Sequence, residues 1–137
     1  MTLRYMLDTV TCIQAMRADV TSQLFGRFNR MTQNLCISSV VLAELHYGAE
    51  NSQNVVRNLQ KIDKLVDRLQ AVLDFDALAA ANYGRVRTAL RKHPIGPLDT
   101  MIAAHARSRD LIVVTSNTRE FNRVPGLGVE DWSQPAA

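Results

Sequence analysis

With 137 residues the chain has the length of one domain, enough to bury a proper core. Its 47% apolar and 21% charged residues are those of an ordinary globular protein and exclude a fibrous or disordered chain. The 16 Lys+Arg against 13 Asp+Glu leave a net charge of +3, which permits an anionic partner such as nucleic acid without demanding one.

The elements follow in chain order. Leu3 to Leu7 reads as a short strand entering a buried sheet, and Thr11 to Met16 as a short helical stretch. Val20, Leu24, Phe28 and Met31 recur at helical spacing. Leu35-Cys36-Ile37-Ser38-Ser39 is a second strand, and Val40 to Tyr47 suits a helix stopped by Gly48. Val55, Leu59, Ile62, Val66 and Leu69 give the clearest helical stripe, with charges on the other face. Ala71 to Phe75 is a third strand. Ala79, Tyr83, Val86 and Leu90 mark a helix closed by His93-Pro94. Gly96-Pro97 makes a loop, Asp99 to Arg109 is helical, and Leu111 to Thr115 is a continuous aliphatic strand. Val129 onward adds one short edge strand. Alternating strands and helices predict an α/β domain with a mostly parallel sheet.

Cys12 and Cys36 lie in apolar settings with no CxxC pair, so they read as free buried thiols in a reducing compartment. Residues 1–7 are too short and too polar for a signal-peptide core. No run approaches the roughly 20 apolar residues of a membrane span. A cytoplasmic protein with no membrane partner is expected.

Three acids far apart in the chain occupy related places. Asp8 closes Tyr5-Met6-Leu7, Glu44 lies in Val40-Val41-Leu42-Ala43-Glu44-Leu45, and Asp99 follows Pro94-Ile95-Gly96-Pro97-Leu98. Each lies where a strand hands over to a helix, or just inside that helix. In an open parallel sheet such junctions share one edge, so the three can converge. Clustered carboxylates repel, and they make sense together around a cation such as Mg²⁺. Each also has a plainer reading: Asp8 and Asp99 as helix N-caps, Glu44 as half of a salt bridge. Asn117, after the last strand at the same edge, reads equally as a neutral ligand or as a turn residue. Glu120 is either a fourth carboxylate or a solvated first-turn acid. Other chemistries lack their residues: there is no HExxH, GxSxG, GxxxxGK[ST] or GxGxxG pattern.

These residues, in this order, resemble the PIN-domain ribonucleases, specifically the toxins of VapBC toxin–antitoxin modules. The resemblance is carried by Met6-Leu7-Asp8-Thr9, by Ile37-Ser38-Ser39 through Ala43-Glu44-Leu45 to Tyr47-Gly48-Ala49, and by Ile95-Gly96-Pro97-Leu98-Asp99 with Ile102-Ala103-Ala104-His105-Ala106-Arg107. Val113-Val114-Thr115-Ser116-Asn117-Thr118-Arg119-Glu120-Phe121 completes it. It runs from about residue 4 to Trp132, so residues 1–137 are expected to form one PIN domain, a three-layer α/β/α fold. The resemblance implies Mg²⁺ or Mn²⁺ held by Asp8 and Asp99, with Glu44 completing the centre and Asn117 and Glu120 auxiliary. It implies endonucleolytic cleavage of RNA, tRNA in particular, and an arrest of translation. It also implies inhibition by a VapB-type antitoxin, a homodimer, and a toxin–antitoxin hetero-oligomer.

Within that reading, Thr9 and Ser39 hydroxyls support the carboxylates, and Arg85, Arg87, Arg91 and Lys92 draw in RNA or else form a solvated helix face. Part of the Val20–Met31 or Val55–Leu69 stripe would face a second subunit. The family pattern at the first acid is LDTN, whereas this chain has Leu7-Asp8-Thr9-Val10. Valine neither donates nor accepts a hydrogen bond, which raises the alternative of a catalytically weakened RNA-binding PIN protein. Leu7-Asp8-Thr9-Val10-Thr11 is also faintly similar to the haloacid-dehalogenase nucleophile motif, but Val10 occupies the place of its second Asp.

Overall fold

The computed structural model describes residues 2–17 and 22–134. Among them, strands β1 (Tyr5–Leu7), β2 (Leu35–Ser38), β3 (Ala71–Leu73), β4 (Ile112–Val114) and β5 (Val129–Glu130) form one sheet in the order β3-β2-β1-β4-β5, each neighbouring pair parallel. Helices α1 (Thr9–Arg17), α2 (Gln23–Arg30), α3 (Ser39–Glu50), α4 (Val55–Arg68), α5 (Ala77–Ala89), α6 (Pro97–Ser108) and α7 (Thr118–Phe121) cover it. The architecture is the expected α/β/α layering.

The central strands are apolar except for Ser38 at the end of β2, because helices cover both faces of the sheet. Every residue of β1 and β2 is buried, as are Val113 and Val114 of β4. Each large side chain removed from water there contributes about 1.5–3 kcal/mol. The helices begin where the sequence supplies caps: Ser22, Ser38, Asn54 and Asp76 each accept a first-turn backbone N–H through their side chains. Helix α4 shows the patterning most plainly, with Ile62 and Leu65 buried and Lys61, Asp63, Lys64 and Asp67 exposed.

Register fixes the level of the strand ends. Leu7 pairs with Val114, Ser38 with Leu73, and Val114 with Glu130, so the carboxyl ends of all five strands share one edge. The chain moves outward from β1 through β2 to β3, then crosses to β4 and β5 on the other side. The reversal leaves a crevice outside the ends of β1 and β4, where open α/β sheets bind ligands.

Several boundaries differ from the sequence reading. Helix α3 does not stop at Gly48 but continues to Glu50. A mid-helix glycine costs only about 1 kcal/mol, and burial of Leu45 and Ala49 on either side offsets it. Helix α5 ends at Ala89, so Arg91 and Lys92 lie beyond its C-cap, Leu90, and are not on the helix. Asp99 is not at a strand end, since α6 follows α5 through a loop. Val20 lies outside the described residues, while Leu24 and Phe28 join the protein's own core. The α4 stripe does the same, leaving Val56 outside at 68% exposed.

Both cysteines are free and buried, and burial raises both thiols, Cys36 to about 12. Among the described residues no helix is long and apolar enough to cross a membrane.

Candidate active site

Asp8 leaves β1 at the crevice and is only 3% exposed. Its backbone N–H donates to the Val114 carbonyl at 3.1 Å, continuing the β1–β4 ladder by one residue. Its Oδ1 accepts from the Thr11 N–H at 2.9 Å, so Asp8 caps α1. Its Oδ2 accepts from Thr115 Oγ1 at 2.5 Å. The Thr115 hydroxyl in turn accepts from the Asn117 N–H at 2.9 Å, and Thr11 Oγ1 donates to the Val114 carbonyl at 3.1 Å. One carboxylate is thus fixed by β1, α1 and the end of β4 together.

Glu44 projects from α3, half-buried, and its Oε1 accepts from Thr9 Oγ1 at 2.7 Å. The partner is a hydroxyl and not the cation of a salt bridge. Asp99 is the third residue of α6, whose N-cap is Gly96, so Asp99 is not the cap. Burial, and after it the charges of Asp8, Glu120 and Glu44, together raise its pKa to about 6. Glu120, in α7, is half-buried and accepts from Asn117 Nδ2 at 2.9 Å. Four carboxylates from four different elements therefore share one electrostatic neighbourhood. The hydrogen bonds they accept come from hydroxyls, a backbone amide and a carboxamide, none of which carries a positive charge.

Among the described residues, no three His, Cys, Asp or Glu side chains are drawn together as ligands of one ion. Their chemistry nonetheless suits a hard divalent cation: the donors are all oxygen and negative, and the hydrogen bonds they accept come from uncharged groups. Mutual repulsion disfavours the close approach of such a set while its charges are uncompensated.

The auxiliary residues divide. Thr9 bonds to Glu44, and Asn117 orients Glu120. Ser39 does not reach the acids; its hydroxyl accepts from the Phe75 N–H at 3.1 Å and ties α3 to the segment after β3. Arg85, Arg87, Arg91 and Lys92 are all exposed. Arg87 lies over the Tyr83 ring at 6.0 Å and Arg91 donates to the Thr88 carbonyl at 2.9 Å, so each is held against the helix.

Sequence reasoning gave no role to Thr11 or Thr115, although both fix Asp8. A threonine one residue past an aliphatic strand, two before Asn117, was the available signal. It also missed His105. This side chain is fully buried on α6, and its Nδ1 lies 2.8 Å from Oγ of Ser38, the N-cap of α3. That contact joins the helices that carry Asp99 and Glu44. Burial lowers the His105 pKa, so the ring is neutral, and the Phe75 ring meets it edge-on at 5.5 Å.

Comparison with known proteins agrees with this geometry. The model of the family described as PIN domain matches residues 5–127. A tRNA(fMet)-specific endonuclease VapC of Shigella flexneri is 53% identical over 133 residues, covering 96% of this chain and 99% of the relative. The protein of the same name from Salmonella typhimurium is 48% identical over 95% of this chain and 98% of its own length. Among solved structures, DNA-bound VapBC from Salmonella typhimurium superposes with a TM-score of 0.89, at 48% identity over 95% of this chain and 98% of that one. DNA-bound VapBC2 from Rickettsia felis gives 0.85, at 36% identity over 96% and 99%. Matches that span essentially the whole chain, together with acids gathered at the sheet's switch point, make this protein a member of the PIN-domain family, in its VapC branch.

Proposed function

We propose that this protein is a metal-dependent endoribonuclease that cuts tRNA and serves as the toxin of a type II toxin–antitoxin pair. The observation that carries the reading is the convergence of Asp8, Glu44, Asp99 and Glu120 at the sheet's switch point, where burial and the repulsion of the other three acids raise the pKa of Asp99. A relative 53% identical is named a tRNA(fMet)-specific endonuclease, which supports tRNA as the substrate.

Asp8, Asp99 and Glu44 would hold Mg²⁺ or Mn²⁺. When bound, such a cation supplies the positive charge a phosphodiester needs and an acidified water at neutral pH. The protein's own residues do the positioning. Thr115 and the Thr11 N–H clamp both oxygens of Asp8, and Thr9 restrains Glu44. Asp99, with its pKa raised to about 6, would have to be ionised to serve as a ligand, which favours metal binding above that pH. Asn117 holds Glu120 beside them. Arg87, Arg91 and Lys92 supply backbone contacts for RNA.

The Salmonella, Rickettsia and Haemophilus structures that resemble this chain are VapBC complexes, so a VapB-type antitoxin is the proposed partner, with a homodimer inside the hetero-oligomer. A single domain acting in the cytoplasm fits this role. The weakened-enzyme alternative rests on Val10 alone, which is 50% exposed on α1, two residues after Asp8.

The test is cleavage of a tRNA pool by purified protein titrated with Mg²⁺ and Mn²⁺. The expected outcome is cutting that EDTA abolishes and added metal restores. Undiminished cleavage in EDTA would refute the metal mechanism, and intact RNA at every metal concentration would favour the weakened-enzyme alternative.

A further inference from the structure

A basic cleft lies on the described surface between the ends of α5 and α7, outside the acid cluster. Arg91, Lys92 and His93 follow the end of α5, and Arg123 follows α7; these four line a single open cavity of about 500 Å³ with Ala89 and Leu90. All four are exposed, and no acid lines the cavity. We infer that this cleft is a phosphate-binding subsite that holds the RNA backbone at a distance from the bond to be cut. The inference rests on the ribonuclease reading above and extends it to a second site.

Two connections argue for an RNA phosphate. Along α7, the Arg123 N–H donates to the Glu120 carbonyl at 3.1 Å, so the cleft begins one turn from an acid of the cluster. Along the α5–α6 loop, a neighbouring cavity shares Leu90 and runs past Arg87 to Pro97 and Thr100, the residues on either side of Leu98 and Asp99 in the first turn of α6. The basic cleft thus adjoins, along the chain, both the helix that carries Glu120 and the helix that carries Asp99. A polyanion with one phosphate at the acids meets repulsion there and attraction in the cleft, which favours a chain long enough to touch both. Guanidinium groups match phosphate oxygens in geometry as well as charge. Arg91 is already steadied by its bond to the Thr88 carbonyl, at a helix C-terminus that favours cations. Arg85 lines neither cavity, so the basic run splits: Arg91 and Lys92 belong to the subsite with Arg123, Arg87 borders the approach, and Arg85 is a solvated side chain.

The experiment measures fluorescence anisotropy of a labelled single-stranded RNA and of tRNA, using the Asp8→Asn protein so that nothing is cut. Arg91→Gln with Arg123→Gln is compared with Arg85→Gln. The pair should weaken binding about tenfold and lower the log–log salt slope by roughly 1.4, about 0.7 per lost contact. Arg85→Gln should change neither, and Arg91→Lys with Arg123→Lys should retain most of the affinity. In the otherwise wild-type enzyme the Gln pair should raise KM and leave kcat within about twofold. Unchanged affinity and slope in the Gln pair, with the wild type still cleaving, overturns the subsite and leaves the ribonuclease reading intact. Retained RNA affinity with lost binding of an acidic protein partner also overturns it, in favour of a protein-docking cleft. A wild type that neither binds nor cuts RNA overturns both readings.

Discussion

Thr115 and Asp8, 107 residues apart in sequence, share a 2.5 Å hydrogen bond from Thr115 Oγ1 to Asp8 Oδ2. The bond spans the switch point, joining the residue after β4 to the residue after β1. Thr115→Val removes it and leaves the buried Asp8 oxygen and the Asn117 N–H without partners, at a cost of about 1–3 kcal/mol in stability. Loss of such a supporting contact should also lower metal affinity or cleavage about 10–100-fold. Thr115→Ser should restore both. Urea unfolding and a Mn²⁺ titration check the pair.

Asp8→Asn and Asp99→Asn should each abolish cleavage and growth arrest with the fold intact. Their effects on the metal-free protein should differ. Asp99→Asn removes one of four mutually repelling charges, so thermal stability should hold or rise. Asp8→Asn keeps the cap on α1 but presents an amide to the Thr115 hydroxyl, so any gain should be smaller. Residual cutting by both variants would rule out the carboxylate centre.

The pH dependence of metal-free stability follows from Asp99. Its pKa is about 6 in the fold and about 3.9 unfolded, so the folded state holds the proton more tightly. That contribution is complete below about pH 4 and is lost as pH rises through 6. Measured against wild type in EDTA, Asp99→Asn should gain relative melting temperature between pH 4 and 6 and then level off. A constant difference across that range would contradict the raised carboxyl.

Buried His105 has the opposite sign. Its pKa is lowered in the fold, so the stability of the neutral ring is present above about pH 6.5 and lost as pH falls below it. His105→Asn keeps a hydrogen-bonding atom near the Ser38 hydroxyl and cannot titrate, so it should lose less stability than wild type between pH 7 and 5. His105→Leu should leave the Ser38 hydroxyl with its cap bond alone and weaken Mn²⁺ binding through the α3–α6 joint, whereas His105→Asn should largely preserve it. Equal metal affinity in the Leu variant would confine His105 to packing.

Val10→Asn tests the departure from the family pattern. Val10 is half exposed on α1, so the replacement needs no repacking. If the amide matters, cleavage should rise or Mg²⁺ should bind up to about 10–100-fold tighter. No change in either quantity would show that neighbouring groups already do its work.

Much of this protein was legible in its sequence because the signals were local. Continuous aliphatic runs specified the central strands, and helical periodicity specified α4, since burial on both faces or on one stripe leaves its pattern in consecutive residues. The acids Asp8, Glu44 and Asp99, with Asn117 and Glu120, stood in a recognisable order along the chain. Other features depended on register and packing. Gly48 reads as a helix stop until Leu45 and Ala49 are seen buried on either side, and Arg91 and Lys92 read as helical until α5 ends at Ala89. Ser38 and Ser39 are adjacent serines in sequence, yet one meets His105 and the other the Phe75 backbone. The Thr115 clamp on Asp8 exists only because Leu7 pairs with Val114, which levels two strand ends more than a hundred residues apart. Sequence determined which side chains could do the chemistry; the register of a parallel sheet, set by long-range pairing, decided which of them meet.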